Sequence, residues 1–225
     1  MKLTKPFLFF ALATFSAASV SAQTSRAGEW CAADQNLEEM KLNDPSFAQK
    51  RAALEDFTAT YSANYSPTTS KKTTIVIPVV VHNITHSGGL GYVSKAAIES
   101  QIDRLNIDFN RLNSDANQTR PLFVPHVGSI DIEFRLAHID PNGNCTEGIV
   151  RMENPLSFNP VPRNSVKSVS YWPHSGGARN YFNIWIIDEI QDNGDGTYVA
   201  GYAQFPGNNN NGTYGVVMTN QNIGF

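Results

Sequence analysis

The chain has 225 residues, 41% hydrophobic and 16% charged, with 16 Gly, 12 Pro and 2 Cys. That length can bury a core of its own, and the ordinary Gly and Pro content excludes collagen-like and low-complexity classes. Two cysteines are too few for a disulfide scaffold, and a net charge of −3 gives no electrostatic basis for nucleic-acid binding.

Residues 1–22 read as an export signal. Lys2 and Lys5 form a basic start, Phe7 to Val20 an apolar stretch, and Val20-Ser21-Ala22 a small-residue cleavage site before Gln23. Beyond it no apolar run is long enough to predict a membrane-spanning helix. Residues 23–70 are sparsely apolar, with an amphipathic helix expected over Pro45–Thr60 whose face carries Phe47, Arg51, Leu54 and Phe57. Tyr61–Lys72 reads as an exposed linker, containing Pro67 and ending in Lys71-Lys72, a pair suited to a processing protease. This region has too little apolar surface to fold alone and should lean on the domain C-terminal to it.

From Thr73 the pattern changes. Ile75–Val81 is a β-branched run read as a buried strand, with Pro78 tolerated at an edge or bulge. A Gly-rich turn comes next, at His86–Gly91. Ile98, Ile102, Leu105, Phe109 and Leu112 then recur at alternating spacings of four and three, one stripe of a long helix. Ser94 can cap that helix, and Val93 with Ile98 can staple it. Ile130–Ile139 alternates as a half-buried strand, Asp140-Pro-Asn-Gly is a turn, and Gly148–Met152 is a short strand. Tyr181–Ile190, Tyr198–Phe205 and Tyr214–Thr219 read as further strands, with a polar turn at Asp192–Thr197. The fold class is α+β, one long helix packed on a mixed sheet.

Residue chemistry yields no complete active site. The histidines are His82, His86, His126, His138 and His174, and none is followed by Glu, so a His-Glu-x-x-His helix is absent. His82 and His86 stand four apart on extended chain, roughly 13 Å, too far to share a metal. His82 shares a face with Val80 and Ile84 and reads as a packing residue; His138 reads as solvent-facing, and His126 and His174 as loop residues. His-Ser-Gly-Gly occurs at 86–89 and at 174–177, and turn glycines explain both copies better than a hydrolase nucleophile. Asp188, Glu189, Asp192 and Asp195 could hold Ca²⁺, although the twelfth position counted from Asp192 is Ala203 and breaks an EF-hand pattern. Cys31 and Cys145 could form a disulfide, or Cys31 could be a free thiol able to ligate a metal.

Several phrases, taken in order, resemble one family. They are Ile77–His82, Ile98–Asn113, Asp131–Ala137, Asp140–Asn144, Thr146–Arg151, Tyr181–Trp185, Gly201–Gly207, Gly215–Met218 and Ile223-Gly224. Together they resemble the pappalysin (ulilysin- and cytophagalysin-like) family of metzincin zinc metallopeptidases over residues 73–225. The resemblance implies a secreted zinc endopeptidase made as a zymogen, with 23–72 a mostly helical propeptide and linker. Residues 73–225 would form the N-terminal subdomain, a twisted mixed sheet with one long backing helix. A protein or peptide substrate would add to the sheet's edge strand as an extra strand. By position, the rim candidates are Phe205, Tyr214, Gly215, Val216 and Val217. Cys31 stands where some relatives place a latency thiol on the zinc, although Trp30-Cys31-Ala32-Ala33 departs from their Arg-x-Cys-Gly-Thr context.

The family's zinc helix, His-Glu-x-x-His-x-x-Gly-x-x-His, would come after the Gly-Val-Val strand, and this chain stops at Phe225 before it. The expectation is therefore a truncated product with no catalytic residue and no metal ligand, needing zinc only in the complete family enzyme. Neither nucleic acid nor membrane is an expected partner. Poor solubility is expected too, the sheet lacking the helix that covers its other face. The alternatives are a non-catalytic secreted module binding peptides or partners along the sheet edge, and a structural surface protein sharing only the fold.

Overall fold

A computed structural model describes residues 31–64, 74–128, 131–173, 180–192, 196–205 and 212–224. The export signal, Pro67, Lys71-Lys72, Ile130, His174 with its Ser-Gly-Gly, and Asn193–Asp195 lie outside the described residues.

Strand β1 (Ile75–Thr85) is the axis of a six-stranded sheet. Its first half pairs with β2 (Ile132–Leu136) and its second half with β3 (Ile149–Glu153), both parallel and on the same side. On the other side it pairs in parallel with β4 (Phe182–Ile187). The order continues through β6 (Val216–Thr219), parallel to β4, to the short edge strand β5 (Gly201–Ala203), antiparallel to β6. Pro78 is tolerated for a reason visible in the register. Ile75 and Val81 donate toward the β2–β3 side, so by alternation position 78 faces the other side, where pairing with β4 begins only at Val79.

Helix α3 (Lys95–Phe109) backs one face, as its stripe predicts. Ser94 caps it by accepting from the Ala97 N–H at 3.2 Å, and Val93 and Ile98 are both in the core. Val79, Val81, Ile184 and Ile186 of the sheet meet Ile98 and Ile102 of the helix. Each such buried isoleucine contributes about 1.5–3 kcal/mol of apolar burial. The stripe ends sooner than its spacing suggests. Arg111 has φ 56°, which takes the chain out of the helix, so Leu112 lies outside it and is exposed, and Phe109 is half-exposed.

The opposite face is covered, contrary to the expectation of a bare sheet. The segment from Pro155 to Trp172 crosses it, and Ile84, Trp185, Ile187, Tyr202 and Val217 are buried beneath. Two further expectations need correction, and one open alternative is decided. The strands at 181–190 and 198–205 shorten to Phe182–Ile187 and Gly201–Ala203, because Asp188, Glu189 and Tyr198 leave the ladder for loop contacts. Helix α2 (Phe47–Asn64) forms, but of its apolar face Phe47 is buried while Phe57 is 66% exposed. Cys31 and Cys145 are free cysteines and form no disulfide.

Asn106 on α3 and Asn110 at its C-cap close the β2 edge. The Asn106 side chain accepts from the Phe134 N–H at 2.7 Å and donates to the Phe134 carbonyl at 2.8 Å, and the Asn110 amide donates to the Ile132 carbonyl at 2.8 Å. An open edge invites another chain to pair. Asn106→Leu is expected to cost about 1–3 kcal/mol in urea unfolding and to add a dimer or larger species on a sizing column.

Candidate functional site

The edge strand β5 lies at the far end of the sheet from β2, and the N-terminal segment is seated on it. Cys31 forms a parallel bridge with Gly201, and the Ala32 N–H donates to the Gly201 carbonyl at 3.1 Å. Helix α1 (Ala33–Asn43) begins at once, and its Asn36 amide donates to the Ala203 carbonyl at 3.2 Å. Ala32, Asn36 and Phe47 are all fully buried against the body.

The rim candidates divide. Val216 and Val217 begin β6, with Gly215 leading into it, and β6 is an inner strand with β4 on one side and β5 on the other. Val217 is fully buried. The antiparallel edge is β5 instead, which ends two residues before Phe205. The Phe205 ring carries the Arg51 guanidinium of α2 at 4.9 Å. Tyr214, Gly215 and Val216 line an apolar groove of about 430 Å³ together with Val76, Pro78 and Phe182. Gly215 has φ +135°, and a Cβ there would stand 2.0 Å from the Asn183 carbonyl oxygen. Only glycine lets β6 approach β4 so closely.

Under the crossing segment lies a buried polar layer. His82 is fully buried, as its alternation with Val80 and Ile84 implies. Its Nε2 lies 2.9 Å from Asn183 Oδ1, and its Nδ1 lies 2.8 Å from Ser170 Oγ. Since the Asn183 oxygen also accepts the Trp172 N–H, Nε2 donates and Nδ1 accepts the serine hydroxyl. The imidazole stacks on Trp185 at 5.4 Å. Burial drives its pKa down to about 4, opposed by the Asn183 hydrogen bond. Lys167 is equally buried, its ammonium donating to the Thr213 carbonyl at 2.8 Å and facing the rings of Trp185 and Tyr202. Burial pulls its pKa down to about 7. The Tyr202 hydroxyl donates to the Arg163 carbonyl at 2.7 Å, and burial raises its pKa. Lys167, Ser170 and Asn183 carry no sequence signal; only the fold brings them to one layer.

The other candidates are dispersed. His138 is exposed, and His126 lies in an exposed turn. His86 lies 4.0 Å from Asp188, with the Phe158 ring beside it. The Asp188 and Glu189 N–H groups both donate to the Ser157 carbonyl, and the Asp192 carbonyl takes the Arg163 guanidinium. Among the described residues no group of three or more His, Cys, Asp or Glu could hold a metal ion. Of the calcium candidates, Asp188, Glu189 and Asp192 are among the described residues and form no such group. No helix among the described residues is long and apolar enough to cross a membrane.

This geometry makes two measurable demands. Neutral His82 in the fold against a pKa near 6.5 in the unfolded chain means that the unfolded chain binds the extra proton between about pH 4 and 6.5. Stability from this group is fully present above pH 6.5 and falls by roughly 3 kcal/mol on acidification to pH 4. His82→Gln should remove most of that slope in urea melts across the window. Gly215→Ala should cost at least about 2 kcal/mol by the same method, since β6 must move from β4.

No protein-family model and no curated protein matches the chain. Solved structures do. A promirolysin mutant of Tannerella forsythia is 32% identical over 86% of this chain and 60% of that one, with a TM-score of 0.65. Mature Tannerella forsythia mirolysin in complex with a cleaved peptide is 36% identical over 68% of this chain and 56% of that one, at 0.58. Mirolysin in complex with compound 9 is 36% identical over 68% and 55%, at 0.54. The chain thus spans 55% to 60% of the length of these relatives. It is a structural homologue of mirolysin and promirolysin, in a metzincin-like family relationship to them.

Proposed function

We propose that this chain is the N-terminal portion of a secreted zinc-dependent metalloendopeptidase of the pappalysin kind, with proteolysis as the activity of the complete enzyme. In this reading 1–22 is the export signal, 23–72 the propeptide and linker, and 73–225 the first part of the catalytic domain. The observation that carries it is the seating of Cys31-Ala32 on the edge strand β5, where an extended substrate would add by backbone hydrogen bonds. A pro-segment on that edge excludes substrate by occupying the same carbonyls. The match to the pro-form extends over 86% of the chain against 68% for the mature form, which supports a pro-segment at one end.

Cys31 is the latency thiol in this reading. It is exposed and free beside the edge, so its sulfur is open to a metal held by other residues. The chain itself has no His-Glu pair, and its described residues offer zinc no ligand set. Zinc in the complete enzyme would supply a polarised water for peptide hydrolysis. Here the residues of this chain bind and align the peptide, and the chain by itself is inert. Phe205 and Tyr214 flank the edge as substrate-rim residues, while Gly215, Val216 and Val217 hold β6 beneath it.

The test uses metal analysis and casein digestion. The 225-residue chain is expected to purify with sub-stoichiometric zinc and to show no chelator-sensitive cleavage. One tightly bound zinc per chain would overturn its inertness. The reading frame past the codon of Phe225 separates the classes: continuation into His-Glu-x-x-His supports the peptidase, and unrelated sequence favours a non-catalytic module that binds peptides at the same edge.

A further inference from the structure

The two carbonyls that β5 presents outward are both taken, and by different kinds of donor. Gly201 receives the backbone N–H of Ala32, as from a neighbouring strand. Ala203, two residues on, receives the Asn36 side chain, because by then the N-terminal segment has turned into α1 and its backbone no longer runs along the edge. Asn36 is fully buried. Its oxygen is held by the Asn164 amide at 2.5 Å, from the segment that crosses the sheet face, and its nitrogen lies 3.9 Å from the Met40 sulfur one turn on. One side chain therefore ties the pro-segment helix both to the edge strand and to the body.

We propose that Asn36 is the latch of the pro-segment, its amide standing in for the backbone N–H of a bound peptide strand at Ala203. This rests on the reading of β5 as the peptide edge. The latch uses no thiol and no metal, so the N-terminal segment is held in register on the edge whether or not Cys31 ligates anything. Removing the amide leaves the Ala203 carbonyl and the Asn164 amide without their partner, and both favour release of α1 into water.

Hydrogen exchange of the full chain, read by mass spectrometry, tests it. Asn36→Ala is expected to speed exchange across residues 33–43 by about tenfold or more while β1 and β4 keep their protection. Asn36→Asp, which turns a donor into a second acceptor facing Ala203, should do the same, and Asn164→Ala should act in the same direction more weakly. Cys31→Ala should leave the rate unchanged. Unchanged exchange of α1 in both Asn36 variants, or equal loosening by Cys31→Ala, overturns the latch. Anisotropy of a fluorescein-labelled Thr-Val repeat peptide is measured on the same samples. Uptake by the loosened variants supports both the latch and the peptide edge; loosening without uptake upholds the latch and overturns β5 as the peptide edge.

Discussion

Backbone hydrogen bonding at the two ends of the sheet is the constraint on which the rest of this protein depends. A β-sheet cannot end without leaving a row of N–H and carbonyl groups that need partners. Here β2 at one end and β5 at the other are each met by asparagine side chains. Asn106 of α3 and Asn110 at its C-cap satisfy β2, and Asn36 of α1 satisfies β5 beside the Ala32 backbone. The two closures differ in kind. α3 is bound to the sheet by a continuous apolar core, whereas α1 is held by Ala32, Asn36, Met40 and the start of α2. The edge that is closed by the more lightly anchored element is the one on which the proposed peptide binding rests.

Between those ends, β1 sorts the molecule into two unlike faces. Val79 and Val81 meet α3 in an aliphatic layer. Val80, His82 and Ile84 point the other way, where His82, Asn183, Trp185 and Lys167 form a buried layer rich in aromatic rings and hydrogen bonds. Such a layer is demanding, because each polar group must find its partner within a low-dielectric interior. The segment 155–172 supplies those partners through the Ser170 hydroxyl and the Trp172 backbone. It thereby covers the face without regular secondary structure longer than short helical turns.

Much of the scaffold is legible in the residues. The β-branched run at 75–81, the stripe from Ile98 to Leu105 and the alternation of Ile132 and Phe134 are local patterns, and each forms the element it implies. Boundaries are less so, since Leu112 continues the stripe while Arg111 ends the helix. The packing role of His82 is readable from its phase in the strand, but its partners are not. Ser170 and Asn183 lie 88 and 101 residues away in sequence, and no local period relates them to it. Two of the rim candidates, Val216 and Val217, fall on β6 instead of the edge for the same reason: strand order is set by pairing between distant segments.

The sequence alone determined the alternation of buried strands, the capped helix, the absence of a His-Glu-x-x-His motif and the ordered phrases that resemble a metallopeptidase family. These depend on neighbours within a few residues, or on identity alone, and need no third dimension. Tertiary structure decided which strand is the edge, what occupies it, and that an asparagine in a weakly apolar helix serves as its closing donor. Those facts arise where segments 167 residues apart meet, as Asn36 and Ala203 do. A hydrogen bond has geometry only once both partners are placed.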